Sequence, residues 1–68
     1  MNTSTALKVG MAQANIRSVP ELSKRTGIKQ TTLYSRIKNP ETLTVGELRQ
    51  IARTCHMSRE LIAAVVEG

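Results

Sequence analysis

The sequence predicts an all-α fold of five short helices. Three observations point there: apolar residues recur at three- and four-residue spacing, no segment sustains apolar/polar alternation, and two Ser/Thr-x-x-Glu capping signatures precede apolar runs. A chain of 68 residues suffices for one domain, 1–68. It buries only a modest core, so helix caps and a partner chain are expected to supply part of its stability.

The first helix is predicted over Thr5 to Asn15, with Leu7, Met11 and Ala14 on one face and Thr3, Ser4 or Thr5 as the N-cap. Gly10 within it costs about 1 kcal/mol relative to Ala. The second begins at Ser18-Val19-Pro20-Glu21, read as a reciprocal capping box, with Leu22 facing inward. Gly27 supplies the left-handed residue that stops it at about Thr26.

The third helix runs from Gln30 to Lys38 with Leu33 and Ile37 on its inner face, and Asn39-Pro40 ends it, because proline disfavours helical geometry in the residue before it. Thr44-Val45-Gly46-Glu47 is the second capping box, followed by an apolar stripe of Val45, Leu48, Ile51, Ala52 and Cys55. Ser58 caps a last helix from Arg59 to about Val66. Its Leu61, Ile62, Val65 and Val66 exceed what one inward stripe needs, so Ile62, Val65 and Val66 are read as a dimer interface.

Composition narrows the function. One Cys, one His and no Trp or Phe leave no intrachain disulfide and no set of zinc ligands. Cys55 is read as a small core residue, His56 as a helix end-cap, and Met1, Met11 and Met57 as packing or chain start. No paired acids, activated nucleophile or phosphate-cradling glycine loop is present, so neither catalysis nor a cofactor or small-molecule ligand is expected. No apolar run has the length of a membrane span or a secretion signal, which predicts a cytoplasmic protein without a membrane partner.

Charge is unevenly placed. The first 40 residues carry seven Lys and Arg against Glu21 alone, while the remaining 28 carry three Arg against four Glu. From Lys24 to Asn39 there is no acid at all. An ordinary exposed helix mixes Glu with Lys for i, i+4 pairing, so this span points to a polyanion as partner.

The second and third helices, joined by a three-residue turn that opens on Gly27, have the spacing of a helix-turn-helix at about 20–38. A short turn holds the second of these at a steep angle to the first, so that one braces the sugar-phosphate backbone while the other enters the major groove. Outward on the third helix lie Lys29, Gln30, Thr31, Thr32, Ser35 and Lys38. These are types that pair with adenine, guanine and phosphate acceptors.

Ser18 to Ile62 resembles the phage Cro and repressor type of helix-turn-helix domain, the xenobiotic-response-element class with its lambda-repressor-like fold. The resemblance rests on Glu21-Leu22-Ser23, Thr26-Gly27-Ile28, Thr31-Thr32-Leu33-Tyr34 and Leu48-x-x-Ile51-Ala52, with Leu43-Thr44 and Met57-Ser58 at the starts of capped helices. It implies a transcriptional regulator that binds double-stranded operator DNA, commonly as a homodimer. By position it places Lys29, Gln30, Thr31 and Ser35 at bases, and Ser18, Thr32, Arg36, Lys38 and Asn39 at the backbone. Tyr34 is either an edge-packing residue or a DNA contact. The chain departs from the family pattern at Val19, where a polar residue is common, at Lys29, where Ser or Thr often caps, and at Arg36, where many members are apolar. The rival reading is a protein-interaction module of the same fold, antitoxin-like or antirepressor-like, that binds no specific DNA.

Overall fold

A computed structural model describes residues 2–68, and Met1 lies outside them. It contains α1 (Thr3–Gln13), α2 (Val19–Thr26), α3 (Gln30–Lys38), a single 3-10 turn (Pro40–Thr42), α4 (Val45–Cys55) and α5 (Arg59–Glu67), with no strand among the described residues. One apolar cluster joins all five helices: Leu7 and Met11 of α1, Leu22 of α2, Leu33 of α3, Ile51 and Cys55 of α4, and Leu61 and Val65 of α5. Leu22 and Leu33 are its most completely enclosed side chains. No helix among the described residues is long and apolar enough to cross a membrane.

The first helix starts and ends two residues earlier than its apolar spacing predicts. Asn2 is the cap, its carboxamide oxygen accepting from the Thr5 amide at 2.8 Å. The hydroxyls of Thr3 and Ser4 are therefore free for longer reach. Thr3 Oγ1 donates to the Val65 carbonyl at 2.9 Å and Ser4 Oγ to the Ile37 carbonyl at 2.6 Å, so α1 pins the ends of both α5 and α3. Past Gln13 the chain turns through Asn15 at φ 59°, and the Ile16 amide closes on the Met11 carbonyl at 2.8 Å. That is the six-to-one bond of a Schellman end, with Ile16 buried beneath it.

The second helix keeps one arm of its predicted box. Ser18 Oγ accepts from the Glu21 amide at 3.4 Å, but the Glu21 carboxylate turns to Arg25, 3.6 Å away on the exposed face. Both arms form at α4, where Thr44 and Glu47 bond each other's backbone amides.

Two expectations about apolar faces need correction. Val45 is 68 % exposed and stands outside the buried stripe of α4. The centre of that stripe falls between Ile51 and Cys55, which at about 100° per residue lies roughly 100° around the helix from Val45. On α5 the buried line is Leu61 and Val65; Val65 is 4 % exposed and sits in the core, which removes it from an outward interface, whereas Val66 is 70 % exposed.

Candidate nucleic-acid interface

The turn between α2 and α3 is fixed by hydroxyls as well as by glycine. Gly27 adopts φ 80°, and its amide donates to the Ser23 carbonyl at 2.8 Å. Thr26 Oγ1 donates to the Leu22 carbonyl at 2.8 Å and accepts from the Ile28 amide at 3.2 Å, while Ser23 Oγ donates to the Ile28 carbonyl at 2.5 Å. The Gly27 and Ile28 amides and the Leu22, Ser23 and Ile28 carbonyls, which a sharp helix-to-helix turn would otherwise strand, thus find partners nearby. With Leu22 and Leu33 packed in the core behind it, the angle between the two helices is set from both sides.

That packing decides which face of α3 looks outward. Leu33 is 1 % exposed and Ile37 half-buried, one turn apart on the inner line. Lys29, Gln30, Thr31, Ser35, Lys38 and Asn39 are exposed, and Thr32 is half-buried. Among the described residues no hydrogen bond or ion pair ties the side chains of Lys29, Gln30, Thr31, Ser35 or Lys38 into the fold. They form an acid-free surface of donors, with amide and hydroxyl acceptors among them. Lys29 stands at the N-cap without capping the helix through its side chain, which leaves its ammonium free.

At the start of α2, Ser18 is exposed, Pro20 has no amide hydrogen and the Glu21 amide is already capped. The Val19 amide is the donor left there. Beside it a cleft is lined by Lys8, Asn15, Arg17, Val19, Tyr34 and Ile37. Tyr34, 54 % exposed, forms the wall of this cleft on the α3 side. The charge asymmetry counted Lys8 and Arg17, but local spacing gave no sign that α1 and the α1–α2 connection would bring them beside Tyr34.

Arg36 is placed differently from the other basic residues of α3. It is half-buried and turned toward α4, with Nε 2.8 Å from Glu47 Oε1 and Nη1 3.4 Å from Thr42 Oγ1. At this position, where a DNA-backbone contact is expected, the guanidinium is thus held in an ion pair within the fold. The Arg36 hydrogen bond, followed by the Thr44 amide, holds the Glu47 carboxyl below its usual range.

The other reactive side chains are structural. Cys55 is buried in α4, and burial raises its thiol above the usual range, so it stays protonated and unreactive at neutral pH. His56 caps α4 through its backbone in the left-handed region at φ 50°, its ring exposed. No cluster of metal-binding side chains occurs among the described residues.

A rigid two-helix unit with an uncommitted, acid-free outer face defines a helix-turn-helix DNA-binding domain. The chain belongs to the Cro/C1-type helix-turn-helix DNA-binding domain family, whose model matches residues 6–59. That span takes in all of α2, α3 and α4. Neither a curated protein nor a solved structure gives a significant match to the chain.

Proposed function

We propose that residues 1–68 act as a single domain, a sequence-specific transcriptional regulator of Cro or repressor type encoded by a bacterium or a phage. It works in the cytoplasm on nucleoid DNA, without cofactor or catalysis. The outer face of α3 carries this reading, because a family member whose Lys29, Gln30, Thr31 and Ser35 are all exposed and unpaired has the groups that major-groove recognition needs. In this reading α3 lies in the major groove of an operator. Ser18, Thr32, Lys38 and Asn39 face the backbone, and Tyr34 stands at the border of the contact. Fluorescence titration on random and genomic fragments in moderate salt tests it. One fragment bound at least a hundredfold tighter than random DNA is the expected result; equal affinity for all of them would favour the protein-interaction module instead.

A homodimer belongs to the same proposal. A lone module of this size contacts few base pairs, and pairing on a two-fold site multiplies its specificity. Exposed Val66, with half-buried Ile62 beside it on α5 and exposed Val45 at the start of α4, supports this by presenting apolar surface that the chain covers only in part. Leu43 and Leu48 line the same shallow cleft as Val45 and Val66. Sedimentation of the wild type and of the Val45→Ser/Val66→Ser variant on operator DNA decides it: two chains per site against one.

A further inference from the structure

Leu33 and Ile37 seat α3 along one line, and groups that flank this line decide how far the helix can roll about it. The roll matters because side-chain tips ride about 5–6 Å from a helix axis. A rotation of about 20° would carry them about 2 Å, enough to break a hydrogen bond to a base edge. Arg36 sits about 60° around α3 from Leu33, on one flank of that line. Its guanidinium is anchored to Glu47 Oε1 at 2.8 Å, and the same oxygen accepts from the Thr44 amide at 2.9 Å. The Glu47 amide in turn is bonded to Thr44 Oγ1 at 3.1 Å, so the far end of the link is fixed to the first turn of α4. A second branch runs from Arg36 Nη1 to Thr42 Oγ1, which donates to the Asn39 carbonyl at 2.6 Å.

We propose that Arg36 and Glu47 are positioning residues for DNA reading. Their ion pair is the strut that sets the rotation of α3, and through it the register of Gln30, Thr31 and Ser35 over the bases. The proposal rests on the reading of α3 as the recognition helix. It also accounts for a cation at a position where the family pattern is often apolar: Arg36 acts toward Glu47 rather than toward phosphate.

The test compares Arg36→Met, Glu47→Ala, the double variant and Glu47→Gln on the fragment the wild type prefers and on random DNA. Folding of each is checked by circular dichroism. Arg36→Met and Glu47→Ala are each expected to lower the ratio of specific to random affinity about tenfold. The double variant should fall no further, and Glu47→Gln, which keeps an acceptor for both Thr44 and Arg36, should retain most of the preference. A purely structural role predicts lower melting temperatures with an unchanged ratio, and that result overturns the proposal. So does a phosphate-contact pattern, in which Arg36→Met weakens both DNAs alike with a shallower salt dependence while Glu47→Ala weakens neither. A wild type that prefers no fragment removes the operator reading itself, a result distinct from variants that keep a wild-type preference.

Discussion

The hydroxyl of Ser4 donates to the carbonyl of Ile37 at 2.6 Å, joining the first turn of α1 to the last turn of α3. The last carbonyls of a helix have no partner within it, and one that is part-buried needs an external donor. Ser4→Ala is expected to lower the unfolding free energy by about 1 kcal/mol, the size of an ordinary hydrogen bond. The loss should be local, so amide exchange should quicken most at Lys38 and Asn39. Uniform acceleration across all five helices would mean that the bond stabilises the fold as a whole instead.

Glu47 gives the domain a pH dependence of known sign. Its carboxyl is held below the ordinary value of 4.5 in the folded chain by Arg36 and by the Thr44 amide. A depressed folded value means that the stabilisation is complete above about pH 4.5 and is lost as pH falls through the lower, folded value. Urea unfolding between pH 7 and pH 3 should therefore show a loss of stability that is smaller in Glu47→Gln. At pH 7 the same variant should be less stable than the wild type, since it lacks the charge that Arg36 faces.

Four helices end on residues with positive φ: Asn15 at 59°, Gly27 at 80°, His56 at 50° and Gly68 at 68°. Only glycine takes that conformation without a Cβ penalty of roughly 1–2 kcal/mol. Open space surrounds the position of a Cβ at Gly27, so strain alone sets the cost of Gly27→Ala. About 1 kcal/mol of lost stability is expected, a fall in melting temperature of roughly 4–8 °C. His56→Gly works in the opposite direction and should gain about 0.5–1 kcal/mol, measured by the same thermal unfolding.

How far these features were legible depended on whether their cause was local. The bounds of α3 were readable because Gly27 and Pro40 punctuate the chain on either side of it, and the box of Thr44 and Glu47 because its partners stand three residues apart. Asn15 and His56 carry no comparable mark as left-handed ends. The link from Arg36 to Glu47 spans eleven residues, and the cleft that joins Lys8 and Arg17 to Tyr34 depends on how α1 crosses α3, which no window of sequence contains.

Gly10 makes the same point from within a helix. By propensity it only weakens α1, yet a Cβ there would come within 3.2 Å of Met57 Cγ and Sδ and 3.5 Å of Leu61 Cδ2. The missing side chain lets α1 and α5 approach closely. Gly10→Val, which adds branched bulk at that crossing, should cost about 1–3 kcal/mol by overpacking, despite removing a glycine from a helix. Unchanged chemical denaturation would show that Met57 swings aside without loss.

Gln30 and Lys38 are both exposed on α3, but their chemistry assigns them different effects on DNA binding. A carboxamide pairs with one base edge through two hydrogen bonds, so Gln30→Ala should reduce discrimination at one or two base pairs by roughly 1–3 kcal/mol and leave random DNA almost unaffected. An ammonium on a flexible stem instead displaces a counterion from whichever phosphate it meets. Lys38→Ala should therefore weaken specific and random DNA alike and reduce the slope of log affinity against log salt by about one. Salt titrations of both variants on both DNAs separate the roles. Parallel losses from the two substitutions would mean that Gln30 touches backbone, and that the base-reading face of α3 is centred farther toward Thr31 and Ser35.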